Sequence, residues 1–134
     1  MTIIPRMKLR IKENSIRLRL TQGEVNRLAE TGCVEETIDF GTRSGGRFVY
    51  ALRIDNHKQE VCSSSERDRI IVFIPETLAR NWIETEQVGI DAEQQIENGR
   101  SLRLTVEKDF ACLHPRQGED ETDSFPNPLT DKNC

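Results

Sequence analysis

Apolar and polar residues alternate along two short stretches near the start of the chain. The apolar positions are Met7, Leu9 and Ile11 in the first stretch and Ile16, Leu18 and Leu20 in the second. A period of two is that of a strand with one buried face. The residues between the stretches, Glu13-Asn14-Ser15, are typical of a turn. The pattern therefore predicts a β-hairpin.

A helix is predicted directly after this hairpin. Thr21-Gln22-Gly23-Glu24 fits a capping box, in which the threonine hydroxyl and the glutamate carboxylate satisfy free amides of the first turn. Val25, Leu28 and Ala29 then form a narrow apolar stripe at helical spacing. Gly32 is a suitable end, because glycine tolerates the left-handed backbone found there.

The same pattern recurs 54 residues later, when Ile16–Asp55 is placed on Ile70–Asp109. Only six of the forty positions are identical, but the apolar phase agrees through a strand, a helix, a strand, a turn and another strand. Such self-similarity is typical of one supersecondary unit built twice. In the second copy, Asn98-Gly99 predicts a type I′ hairpin turn.

The repeat predicts one α+β domain over residues 1–110, with internal repeats at 16–55 and 70–109. We expect a duplicated ββαββ unit with pseudo-twofold symmetry, in which about eight short strands and two helices form a small barrel or barrel-like sheet. The alternative is an open antiparallel sheet with both helices on one face. Residues 111–134 are acidic and contain proline, and are predicted to be a tail in which Phe125 and Leu129 are apolar anchors, for the domain or for a partner.

Composition narrows the class of protein. The 134 residues contain no apolar run long enough for a transmembrane helix, and the first residues lack the apolar stretch of a signal peptide. We therefore expect a cytoplasmic protein without a membrane partner, in which the four cysteines are free thiols. No sequence motif indicates a cofactor.

Charge is distributed unevenly along the chain. Residues 1–58 carry 11 Lys/Arg and 7 Asp/Glu, whereas residues 59–134 carry 8 and 16. Basic residues occupy the outward positions of the first hairpin and are predicted to bind an anion; they are Lys8, Arg10, Lys12, Arg17 and Arg19. The alternative is neutralisation from within, by Glu35 and Asp39 or by the run Glu119–Asp123. Nucleic acid is not expected, because no aromatic residues interleave these cations and the second repeat is acidic.

Two further positions are candidates for chemistry. Glu36 shares its phase with inward-facing residues of the third strand, so it is either a buried general acid or base, or part of a bulge or exposed strand end. Cys112 and His114 bring together a thiol and an imidazole, but their spacing lacks the pairing of a zinc site and no metal is expected. The simplest interpretation of Cys112 is packing beside Phe110.

Several segments resemble a family of short, uncharacterised bacterial proteins, a domain of unknown function. The resemblance rests on the opening Met7-Lys8-Leu9-Arg10-Ile11-Lys12 with Asn14–Thr21, and on the closing Glu107–Phe110, Cys112-Leu113 and Phe125-Pro126-Asn127-Pro128. It implies a bacterial, cytosolic origin. It implies no activity, ligand or catalytic residue.

These observations favour a small non-catalytic binding or interaction module, with an anionic ligand or a protein as partner. The alternative is a small enzyme whose pocket lies near the pseudo-twofold axis and uses Glu36 or Cys112. A third reading is a subunit that forms a homodimer through a sheet edge.

Overall fold

The computed structural model describes residues 6–41, 43, 45–110 and 125–126. The first half of the chain forms β1 (Lys8–Lys12), β2 (Ser15–Leu20), α1 (Gln22–Thr31), β3 (Cys33–Asp39) and β4 (Arg47–Ile54). The second half forms β5 (Cys62–Glu66), β6 (Arg69–Ile74), α2 (Glu76–Glu84), β7 (Gly89–Gln95) and β8 (Ser101–Lys108), with a 3-10 turn at Glu97–Gly99. The order of elements is that of the predicted duplicated ββαββ unit.

The eight strands form two four-stranded sheets, ordered β1-β2-β8-β7 and β3-β4-β6-β5. Each sheet is made of two antiparallel hairpins joined by a central parallel pair, β2 with β8 in one and β4 with β6 in the other. The halves therefore exchange hairpins, because each sheet takes one hairpin from each half. The sheets do not close into a barrel, and they are mixed rather than antiparallel, so both predicted arrangements of the strands are wrong in this respect.

The register confirms the repeat. Ile16 lies beside Leu104 in one parallel pair, and Ile70 lies beside Tyr50 in the other, so a shift of 54 residues relates the two pairs. The third strand of each unit follows a different shift. Val34 and Ile90 hold equivalent places opposite Leu52 and Val106, which means that the second unit has two extra residues before β7.

The predicted ends of α1 are confirmed. The Thr21 hydroxyl accepts from the Glu24 amide, the Glu24 carboxylate accepts from the Thr21 amide, and Gly32 ends the helix at φ 80°. Helix α2 follows Pro75, which makes no side-chain capping bond. The Asn98-Gly99 turn is also as predicted, with φ values of 62° and 69° and a bond from the Arg100 amide to the Glu97 carbonyl.

Aliphatic side chains and one tryptophan fill the core. Trp82, Leu28, Leu52 and Ile74 are fully buried, and the inward residues of both parallel strand pairs surround them. The two helices contact each other, and the Arg80 guanidinium donates to the Ala29 carbonyl at 3.1 Å. No helix among the described residues is long and apolar enough to cross a membrane.

Candidate anion-binding face

Five basic side chains lie on the outward face of the β1–β2 hairpin. This surface, the basic face, consists of Lys8, Arg10, Lys12, Arg17 and Arg19. The antiparallel register places Lys8 opposite Arg19 and Arg10 opposite Arg17. Like charges opposite each other destabilise a sheet by roughly 0.2–1 kcal/mol per pair, so negative groups nearby are favoured.

Acidic residues at the end of β8 neutralise part of the basic face. The Glu107 Oε1 atom lies 2.8 Å from Arg19 Nη2 and 3.7 Å from Arg17 Nε. Lys8 Nζ lies 3.2 Å from Asp109 Oδ2. The parallel pairing of β2 with β8 explains this arrangement, because it sets Glu107 directly beside Arg19.

The acidic neighbours expected from the sequence were therefore the wrong ones. Glu35 and Asp39 lie on β3, which belongs to the other sheet. The run Glu119–Asp123 lies outside the described residues. Sequence reasoning missed Glu107 and Asp109 because nothing in the local pattern shows that β2 pairs with β8.

Arg10 and Lys12 have no ion pair within the described part of the chain, and both are exposed. An open pocket of about 340 Å³ lies over the hairpin and is lined by Lys8, Leu9, Arg10, Arg17 and Arg19. The unneutralised charge of the basic face is thus concentrated on β1, at the edge of its sheet.

The outer face of this sheet changes sign from one side to the other. On β7, Asp91 accepts from the Thr105 hydroxyl at 2.7 Å and lies 3.5 Å from Arg103. Glu93 lies opposite Arg103 in the register of the same hairpin. An anion is therefore attracted to the β1 side of the sheet and repelled from the β7 side.

Glu36 faces inward, in agreement with its phase in the sequence. It lies opposite Tyr50, and its Oε2 atom is buried without a hydrogen-bond partner. Burial raises the pKa of the Tyr50 hydroxyl, and the charges of Glu36 and Glu24 raise it further. Glu36 therefore belongs to a small polar group between the two sheets.

Glu24 is the second carboxylate of this group, and its role is structural. Its Oε1 atom accepts from the Thr21 amide and hydroxyl, each at 3.1 Å, and its Oε2 atom accepts from the Met7 amide. Burial raises the pKa of Glu24, the hydrogen bonds from Thr21 and Met7 lower it, and the charge of Glu36 raises it. Both oxygens serve to hold the entry into β1 against the start of α1.

Lys108 is a buried cation that the sequence pattern did not single out. It is 6% exposed, and its Nζ donates to the Thr85 carbonyl at 2.7 Å. The same atom lies 5.9 Å from the centre of the Trp82 ring and 5.4 Å from that of Phe125. The signal was present, because Lys108 continues the inward phase of Leu102, Leu104 and Val106.

Phe125 packs back on the domain, one of the two roles considered for it. Its ring meets Phe110 edge to face at 5.7 Å, and its amide donates to the Asp109 carbonyl at 2.7 Å. Leu129, the second predicted anchor, lies outside the described residues.

The remaining candidates for chemistry gain no support from the geometry. Cys112 and His114 lie outside the described residues, and Cys33 and Cys62 are free thiols as expected. Within the part of the chain that the structure describes, no three His, Cys, Asp or Glu residues are grouped as metal ligands.

The chain belongs to a family of unknown function, DUF7009, whose model matches residues 7–129. The match supports the resemblance seen in the sequence; a bacterial origin stays a prediction. Neither the curated proteins nor the solved structures compared with the chain gave a significant match.

Proposed function

We propose that this protein is a non-catalytic binding module that takes an anionic partner on its basic face. One observation carries the proposal: Arg10 and Lys12 are exposed cations of β1 without an ion pair among the described residues, in a protein whose net charge is −4. The pocket over the hairpin and the acidic residues of β7 support it, because together they direct an anion to β1.

Retention on a heparin column at low salt tests the proposal. We expect wild-type protein to be retained and to elute as salt rises, since ion pairs at a surface are screened over about 8–10 Å. Arg10→Gln with Lys12→Gln should elute earlier. Arg27→Gln is the matched control, because Arg27 is an exposed cation on α1, away from the basic face. Equal retention of all three proteins would contradict the proposal.

A second candidate is an enzyme that uses Glu36 as a general acid or base. The observation that favours it is the buried Oε2 atom, which lacks a hydrogen-bond partner. A screen with chromogenic esters, phosphates and glycosides tests this function. Activity that is lost in Glu36→Gln and retained in Glu35→Gln would support the enzyme, whereas activity equal in both variants would rule out Glu36 as its acid or base.

A further inference from the structure

Strand β1 forms one edge of its sheet. Within the described residues it pairs with β2 alone, in the register that places Leu9 opposite Leu18. An edge strand presents backbone N–H and C=O groups to which a further strand can bind. The unneutralised cations of the basic face, Arg10 and Lys12, stand on this same strand.

The other half of the molecule shows how this fold closes the equivalent edge. Ser63 of β5 donates from its amide and its hydroxyl to the Gln94 side-chain oxygen, at 2.8 and 2.7 Å. The Gln94 amide group donates back to the Ser63 carbonyl at 3.3 Å. One glutamine of β7 thus occupies the backbone groups of the β5 edge.

At the β1 edge this closure is missing. The shift of 54 residues places Leu9 where β5 has Ser63, since Ser63 lies opposite Val72 and Leu9 opposite Leu18. Ile38 holds the place of Gln94, because the two residues lie opposite Phe48 and Leu102. Isoleucine has no side-chain group that can bind the backbone of a neighbouring strand.

The direction of the free amides follows from the same equivalence. The Ser63 amide points away from β6, so the Leu9 amide points away from β2, and so does that of Ile11 two residues on. The two faces of β1 differ in chemistry. Lys8, Arg10 and Lys12 lie on one face, and the other carries Ile11, which is 60% exposed.

We propose that β1 binds an extended acidic peptide as an additional strand of the sheet. Acidic side chains at alternate positions would lie beside Arg10 and Lys12, and apolar side chains at the other positions would contact Ile11. A second copy of β1 is a poor occupant, because it would bring two basic strands together. This inference rests on the proposed function and names the chemical class of the partner.

Fluorescence anisotropy with a labelled eight-residue peptide of alternating glutamate and valine tests the proposal. We expect it to bind at least tenfold more tightly than a peptide with four glutamates followed by four valines. Two further peptides carry N-methyl groups on every glutamate or on every valine. Because alternate amides point to opposite edges of a strand, one of these two should lose at least tenfold in affinity and the other should bind well.

Protein variants test the edge from the other side. Ile11→Pro removes an outward amide of β1 and should weaken binding of the alternating peptide at least tenfold, since proline is tolerated on an edge strand. Ser65→Pro makes the same change at the equivalent place on β5 and should not alter binding. If Ile11→Pro fails to fold by circular dichroism, the N-methylated peptides still decide the question.

The outcomes separate this inference from the proposed function. Equal binding of the unmodified and both N-methylated peptides would overturn strand pairing while leaving an electrostatic anion site intact. Retention on heparin without binding of any peptide would overturn the peptide partner alone. Failure of both assays would overturn both proposals, and the cations of β1 would then serve to protect the edge from other strands.

Discussion

The Tyr50 hydroxyl donates to the Met7 carbonyl across 2.7 Å and so ties the two sheets together. Tyr50 lies on β4 of one sheet, and Met7 directly precedes β1 of the other. The Met7 side chain is 1% exposed and its amide donates to Glu24, so this residue is held at three points. The entry into β1, and hence the position of the basic face, depends on these contacts.

Tyr50→Phe should lower the free energy of unfolding by about 0.5–1.5 kcal/mol, the usual value for one hydrogen bond. The ring keeps its packing, whereas the Met7 carbonyl loses a donor. Denaturant unfolding measures the change. An unaltered midpoint and slope would show that the bond does not contribute to stability.

Thr21→Ala should lower the free energy of unfolding by about 0.5–2 kcal/mol, because the Glu24 amide at the start of α1 loses its acceptor. The hydroxyl also donates to Glu24, which would lose one of its three donor groups besides Met7. Thr37→Ala, at an exposed position of β3, is the control for the loss of a threonine hydroxyl. Equal losses in the two variants would contradict a specific role of the cap.

The pH dependence of stability should contain a contribution from Glu24. Burial raises its pKa above the ordinary value of 4.5, so the folded state holds the proton more tightly than the unfolded state. This contribution is fully present below the ordinary pKa and is lost as the pH rises through the raised pKa. The stability difference between wild type and Glu24→Gln should therefore shrink as the pH rises through this window.

Denaturant unfolding of both proteins from pH 4 to pH 8 measures that difference. Glu24→Gln is expected to be less stable throughout, because an amide group replaces one oxygen that accepts from backbone donors. A difference that stays constant or grows with pH would show that the pKa of Glu24 is not raised in the folded protein.

Phe125→Ala should destabilise the domain by about 1–3 kcal/mol, since the half-buried ring loses its contacts with Phe110 and with the Lys108 ammonium. Phe40→Ala is the control, because Phe40 is 61% exposed. Thermal unfolding followed by the fluorescence of Trp82 reports both variants. A larger effect at Phe40 than at Phe125 would mean that the contacts of Phe125 do not stabilise the domain.

Local features of this fold were predictable from the sequence. The alternation of Met7, Leu9 and Ile11 located β1, the Thr21 and Glu24 pair located the start of α1, and the phase of Glu36 placed it on the inward face of β3. Each of these features depends on residues close together in the chain. Periodicity and capping chemistry are sufficient to identify them.

The pairing of the hairpins was not predictable in the same way. The inward residues of β2 and β6 are similar aliphatic side chains, so either strand satisfies the burial requirement of β4 or β8. Glu107 was consequently missed as the partner of Arg19. The uncapped edge of β1 was missed for a related reason, because Gln94 and Ile38 become equivalent only when the two-residue insertion before β7 is known.

The exchange of hairpins between halves also constrains how the chain folds. Neither half contains a complete sheet, and the contact of Arg19 with Glu107 joins residues 88 positions apart. Contacts so distant in sequence form slowly, because the chain must lose much of its freedom before the core rewards it. At high concentration the missing hairpin can come from another molecule, so refolding should yield a dimer of exchanged halves alongside the monomer. The segment between β4 and β5, residues 55–61, would be the hinge of that exchange.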